Sequence, residues 1–358
     1  MSHHVAILGA GKIGRMTAHF LASCGDYTVR IGDAHEPSAL AVARDERIDG
    51  RRVDFGSPAE LAAFLKGAWA VVSCAPFSCN VGIAQAAKDA GCHYLDLTED
   101  VAVTKKVMQL SQGASSAFIP QCGLAPGFIT IVAHSLLREL DSVDTVRMRV
   151  GALPRTPSNV LQYNLTWSTD GLVNEYCNPC EALVDGQVCL VPPLEQVERL
   201  HIDGCEYEAF NTSGGLGTLA DSLRGTVRNL NYKTIRFTGH AEQMRFLLND
   251  LRFIEHRDEL KAILERAVPG TDDDQVVIFV SATGQRGGRF MDRTWARTVL
   301  SREIGGRHWT AIQVTTAAGI CAVVDMLKEG TVPTKGFVRQ EQIGLDAFLA
   351  NRFGRHYA

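Results

Sequence analysis

No excess of either charge marks this chain: 36 lysines and arginines face 40 aspartates and glutamates, for a net charge of −4 and a pI near 6.3. That balance leaves no electrostatic footprint for nucleic acid or an anionic membrane surface, so neither is expected as a partner. A run of about 18 apolar residues is also lacking, and no membrane span is expected. The first 20 residues enter a strand at once, without the charged-then-apolar layout of a signal peptide, and the expected location is cytoplasmic. Internal repeats and low-complexity linkers are missing too. The ten cysteines sit mostly inside apolar segments (Cys24, Cys74, Cys122, Cys189, Cys321), where a thiol behaves as a small hydrophobe. The one Cys-x-x-Cys, Cys177 to Cys180, has no second pair and no neighbouring His pair, so no metal is expected.

What is present begins with strand–helix alternation over a chain of 358 residues, enough for two domains. "VAIL" at 5–8 reads as a buried strand, followed by "GAGKIG" with Gly9, Gly11 and Gly14. Ile13, Thr17, Phe20 and Leu21 then recur at helical spacing, and "YTVRIGD" is a second strand ending in Asp33. Strand, G-x-G-x-x-G, helix and strand with an acidic tip about 20 residues on is the full dinucleotide context. Gly9 makes the tight turn, Gly11 lets the backbone approach a pyrophosphate, and Gly14 permits close helix–strand contact. Lys12 and Ile13 open the helix whose free N–H groups favour phosphate. Asp33 can accept from a ribose 2′-OH and would repel a 2′-phosphate, so the expected cofactor is NAD.

The alternation continues through "SPAELAAFLKG", "AVVSCAP", "NVGIAQAAKDAG", "HYLDLTED" and "SAFIP". The fold class is therefore α/β, a doubly wound parallel sheet of Rossmann type. Ligands sit beyond the carboxyl ends of such strands, which directs Ser73 to Phe77 (with Ala75 and Pro76), Asp96 to Glu99 and the turn "QCGLAPGF" (121–128) to the nicotinamide end. In that turn Gly123 and Gly127 leave room for a ligand, Cys122 lies near the reaction centre or simply packs, and the following helix, Ile129 to Leu140, offers N–H groups to an anion. The rival reading is an interdomain hinge without ligand contact. After residue 145 the rhythm stops. "TVRMRVGALP", "VLQYNLTWS", a hairpin on Asp185-Gly186, "YKTIRF", "QVVIFVSAT" and "RFMDRTWARTVL" read as strands of an α+β domain with an antiparallel sheet. "PGTDDDQ" reads as a solvated acidic turn, and 310–327 as an apolar helix. The expected division is a dinucleotide-binding domain at 1–128, a substrate and dimerisation domain at 129–310, and a helical return onto the first domain at 311–358. Two crossings would allow hinge closure over a substrate.

"IPQCGLAPGF", "APFSCNVGIAQAAKDAGCHYLDLTED", "YKTIRFTGH" and "WSTDGLVNEYCNPCEALVDGQ" together resemble the saccharopine dehydrogenase-like oxidoreductases, and among them the lysine 6-dehydrogenases, which share Ala125 where saccharopine dehydrogenases tend to carry Asp. The resemblance implies NAD-dependent oxidation of the ε-carbon of L-lysine to an imine, then hydrolysis to 2-aminoadipate 6-semialdehyde and ammonia. Alternatives are a saccharopine- or carboxynorspermidine-type enzyme acting on a secondary amine, and a non-catalytic NAD(P)-sensing regulator. The chemistry needs a base, a group to hold the nitrogen and a cation for the α-carboxylate. Asp96 is a candidate for the amine, or a helix cap; His240 for the base, or a structural hydrogen-bonder. Arg236, sharing a strand face with Thr234, is a candidate carboxylate clamp or a surface ion pair, with Arg149 and Arg224 in reserve; Tyr163 and Thr238 are expected to line the pocket. A small amino-acid substrate and a homodimer or dimer of dimers complete the expectations.

Overall fold

The glycines and caps that punctuate the first third of the chain mark real element ends in the computed structural model, which describes residues 2–358. Strands β1 (His3–Leu8), β2 (Tyr27–Asp33), β3 (Asp49–Arg52), β4 (Ala70–Ser73), β5 (His93–Asp96) and β6 (Ala117–Ile119) alternate with helices α1 (Lys12–Ser23), α2 (Glu36–Glu46), α3 (Pro58–Leu65), α4 (Asn80–Ala90) and α5 (Val101–Leu110). Ser57 caps α3 by accepting from the Glu60 N–H, with Pro58 at the first helical position. The strands pair in the order β6-β5-β4-β1-β2-β3, all parallel, and Gly336–Phe337 adds a seventh beside β6. Leu8, Val71, Tyr94 and Phe118 from four strands pack with Ile83 and Val107 from two helices into one core. This is the doubly wound sheet the alternation predicts.

The chain divides into two compact units: residues 1–131 with 313–358, and residues 132–312. In the first unit, helix α6 (Phe128–Leu137) begins and helix α11 (Ala311–Lys328) ends, followed by α12 (Leu345–Ala350). Asp325 of α11, buried, accepts hydrogen bonds from Tyr27 (2.6 Å), Asn351 (2.9 Å) and Arg352 (2.6 Å), which ties the C-terminal segment to β2. By length and hydropathy α11 is able to cross a membrane, contrary to the expectation of no such segment, and 78% of its apolar window is buried inside the protein.

The second unit is built on β7 (Ser142–Pro154), β8 (Cys180–Val184), β9 (Gln187–Val191), β10 (Glu198–Ile202), β11 (Cys205–Asn211), β12 (Val227–Phe237), β13 (Asp274–Arg286) and β14 (Arg289–Leu300). Their order is β10-β11-β12-β7-β13-β14, with β8 on β12 and β9 on β8. All pairs are antiparallel except β7 with β12, so the sheet is mixed rather than purely antiparallel. Helices α7 (Thr169–Cys177), α8 (Leu219–Leu223), α9 (His240–Arg245) and α10 (Arg257–Ala267) complete the unit, and Leu172, Tyr176, Phe210, Met244 and Leu260 form a core between sheet and helices. The hairpin on Asp185-Gly186 forms as expected, with both residues at positive φ. Two expectations fail. Residues 160–168 are not a strand: Asn159 and Asn164 bond locally to Tyr163 and Ser158, so side chains compete with a ladder. The "PGTDDDQ" loop is not wholly solvated either, because Asp274 is buried and accepts from the Ala311 and Ile312 N–H groups at the start of α11.

Candidate functional site

The glycine loop after β1 separates packing from access. Gly9 has φ +102°, and a Cβ there would lie 2.5 Å from the Cys74 carbonyl; a Cβ on Gly14 would lie 1.8 Å from that of Gly9. Both must be glycine for the loop to sit against β4. A Cβ on Gly11 would meet nothing within 4 Å, so the loop is open at the one position where a pyrophosphate approaches. No side chain caps α1, whose first residues are Lys12 and Ile13, leaving the helix N-terminus to an anion. Asp33 stands at the tip of β2, its carboxylate accepting from the Ala10 N–H (2.6 Å) and the His35 N–H (2.8 Å). The same carboxylate thus shapes the loop from the tip of β2. These residues fit a dinucleotide, which would supply hydride acceptance at its nicotinamide.

At the carboxyl ends of β4 and β5 the side chains brace one another. Ser73 donates to Asn80 Oδ1 (2.6 Å), pinning α4, while Ala75 and Pro76 lead into a short 3₁₀ turn at Phe77–Cys79. Asp96 is fully buried: Oδ1 accepts from the N–H groups of Thr98 (3.0 Å) and Gln121 (2.8 Å), and Oδ2 from the Tyr94 hydroxyl (2.7 Å). Burial pushes its pKa up to about 6. Asp96 therefore braces the turn to β5 instead of presenting an amine anchor, and the cap of α5 is Asp100, which accepts from the Val103 N–H (2.7 Å). Glu99, half-buried between them, is pushed up to about 7 by burial and by the charges of Asp100 and Asp96.

The turn 121–128 is a packing seat. Gly127 has φ +130°, with room for no side chain, and a Cβ on Gly319 of α11 would lie 2.6 Å from the Cys122 carbonyl. Gly123 packs against Leu97 and Thr316, leaving no ligand gap on its Cβ side. The expected anion site at the start of α6 is filled by the turn itself, because the N–H groups of Phe128, Ile129 and Thr130 donate to the carbonyls of Gly123 (2.9 Å), Leu124 (3.0 Å) and Gly127 (2.9 Å). Cys122 is buried, donating to the Ile119 carbonyl (3.0 Å) and accepting from Gln340 (3.3 Å), and its thiol is held well above the usual range.

In the second unit the residues singled out by sequence part company. Arg236, Tyr163 and His240 come together, joined by Tyr176, which sequence reasoning missed because α7 lies some sixty positions from β12. Arg236 Nε donates to the Tyr176 hydroxyl (2.9 Å), the Tyr176 hydroxyl lies 3.0 Å from His240 Nε2, and His240 Nδ1 lies 2.8 Å from the Leu161 carbonyl. The Tyr163 ring lies 5.0 Å from the guanidinium. A carbonyl can only accept, so Nδ1 carries the proton and Nε2 accepts from Tyr176. Burial and the Arg236 charge push His240 down to about 3, so it does not titrate near neutrality as expected of a base. Arg236 is buried without an ion pair among the described residues; Glu175 reaches it only through its field. Thr234 pairs with Thr212 (2.8 Å). The reserve clamps are occupied: Arg149 pairs with Glu198, and Arg224 is exposed beside Asp221 (3.7 Å). Cys177 and Cys180 are buried thiols, and no metal-ligating cluster occurs among the described residues.

Comparison with known proteins gives a consistent picture. The Saccharopine dehydrogenase NADP binding domain matches residues 5–119, and the Saccharopine dehydrogenase C-terminal domain residues 123–353. Alpha-aminoadipic semialdehyde synthase from Arabidopsis thaliana is 22% identical over 227 residues, 56% of this chain and only 20% of that protein's length. The apo saccharopine dehydrogenase (L-Glu forming) of Saccharomyces cerevisiae superposes with a TM-score of 0.81 at 16% identity, over 95% of this chain and 94% of the other. An engineered D-amino acid dehydrogenase bound to NADP+ reaches 0.50 at 13% identity, over 97% and 96%. With both family domains matched in order along nearly its whole length, the chain belongs to the saccharopine dehydrogenase family of nicotinamide-dependent oxidoreductases.

Proposed function

We propose that the protein oxidises the ε-carbon of L-lysine with NAD, giving an imine that hydrolyses to 2-aminoadipate 6-semialdehyde, which cyclises to a piperideine carboxylate, and ammonia. The observation that carries this reading is the number of free clamps. A substrate joining two amino acids brings several carboxylates and calls for at least two buried arginines to hold them. Of the three arginines considered, Arg149 is neutralised by Glu198 and Arg224 is on the surface; Arg236 alone is buried with no ion pair among the described residues. One clamp suits one α-carboxylate. The preference for NAD rests on Asp33, whose charge opposes a 2′-phosphate. A saccharopine-type reaction is the second reading, favoured by the family match, with the clamp count against it. Ionisable groups at the ends of the first sheet's strands, Asp96 and Glu99, argue against a non-catalytic sensor.

The test is a panel of L-lysine, saccharopine and other amino acids, each with NAD and NADP, following reduced cofactor and ammonia. Reduction of NAD with ammonia release from lysine is expected. Activity with saccharopine but not lysine, or without ammonia, would replace this reading by the second.

A further inference from the structure

We propose that Glu99 is the proton acceptor for the substrate ammonium. The proposal rests on the amine-oxidation reading above and adds to it the base that the reading lacks, now that His240 is held neutral and enclosed.

The loop from Asp96 to Asp100 contains three carboxylates at the carboxyl end of β5, where an open parallel sheet receives its ligand. Two are fixed in the architecture: Asp96 holds Thr98, Gln121 and Tyr94, and Asp100 caps α5. Thr98 is also engaged, accepting from the Asp100 N–H (3.1 Å). Glu99 accepts only from its own backbone N–H, has no ion pair among the described residues and is half-buried, so it is partly dehydrated yet reachable. The groups whose charges act on it are Asp96 and Asp100; no cation is among them, and the Cys122 thiol across the turn stays neutral. A carboxylate so placed titrates at about 7, in the range that suits a general base.

The step balances. The substrate R–CH2–NH3+ gives one proton to the Glu99 carboxylate, leaving R–CH2–NH2 and a neutral carboxylic acid. The free amine is then able to form the C=N bond of R–CH=NH2+ when its carbon gives up a hydride, which a bound oxidised nicotinamide would accept. Water adds, ammonium leaves, and Glu99 returns its proton to solvent. Because the carboxylate is the active form, kcat/KM should rise with pH through about 7.

The experiment compares wild type, Glu99→Gln and Glu99→Asp over pH 5.5–9.5 with lysine and the amine panel, with reduced-cofactor binding followed by fluorescence. Glu99→Gln is expected to lower kcat/KM by about 100-fold and to lose the limb near pH 7. Glu99→Asp should keep the limb at an intermediate rate, and cofactor affinity should stay unchanged in both. Persistence of the rate and limb in Glu99→Gln overturns the assignment while leaving the amine reading standing. Failure of the wild type to oxidise any amine overturns both.

Discussion

Arg149 and Arg236 are both fully buried, on neighbouring strands of one sheet, yet their surroundings are opposite. Lys233 stands beside Arg149 in the register of β12 and β7, so Arg236, three residues on, projects from the other face. On the first face Glu198 takes both cations, Arg149 Nε and Lys233 Nζ (2.9 Å). On the second, Arg236 has a phenol, a carbonyl and two aromatic rings and no ion pair among the described residues, with Glu208 opposite it in the register of β11 and β12 and the Glu175 charge acting on it from a distance. A guanidinium cannot lose its proton, and its desolvation is compensated only by a counter-charge or a dense set of acceptors. The first arginine is therefore complete within the fold. The second is held by a hydroxyl, a carbonyl and the field of Glu175, without an ion pair among the described residues. Burial alone does not separate the two arginines; the ion pair does.

Breaking the closed face should have the largest effect. Glu198→Gln leaves two buried cations without a counter-charge, and the expected loss is about 3 kcal/mol, the low end for a broken buried pair because Glu198 keeps some contact with water. Urea unfolding should show a lower midpoint with an unchanged slope. A midpoint equal to wild type would mean that water, not Glu198, balances the charges. Next in size is the open face. Arg236→Met breaks no ion pair among the described residues, so stability should change by less than about 1 kcal/mol, while KM for lysine rises about 100-fold. Loss of stability without a change in KM would make Arg236 a second structural cation and remove the contrast.

A smaller effect is expected at Tyr176, the joint between Arg236 and His240. Tyr176→Phe keeps the ring packed but removes the hydroxyl that accepts from Arg236 and donates to His240. The expected cost is about 1–2 kcal/mol, from two buried polar atoms losing a partner. A thermal midpoint within error of wild type would show that the chain of hydrogen bonds contributes nothing.

The first unit was legible because its signals are local. A strand, three glycines and an acidic tip lie within 33 residues, and each glycine's role follows from its own backbone. Asp96 was picked out by its place at the end of β5, but its duty was not, since that depends on the N–H of Gln121, 25 positions away. Tyr94, two residues before Asp96 on the same face of the strand, could have been read from strand periodicity. In the second unit the decisive partners are far apart in sequence: Arg149 with Glu198, Arg236 with Tyr176, His240 with Leu161. No periodicity reports such pairings. The parallel β7–β12 pair was equally invisible, because strand patterns do not encode direction.

The smallest expected change, a flat line, sharpens the contrast most directly. An exposed histidine titrates near 6.5, and a basic catalyst at this site would do the same. His240 instead carries its proton on Nδ1 toward Leu161, accepts from Tyr176 at Nε2, and sits beside the positive charge of Arg236. Its folded pKa is depressed to about 3, below its unfolded value, so the neutral ring's contribution to stability is complete above about pH 6.5. It is lost as the pH falls toward 3, at up to about 1.4 kcal/mol per pH unit, because the unfolded chain takes up a proton that the folded one refuses. The His240 ring resonances in the NMR spectrum should therefore stay fixed from pH 5 to 8. Movement with a midpoint near 6.5 would mean that the ring is neither dehydrated nor opposed by the Arg236 charge, and the enclosed arrangement of this face would be wrong.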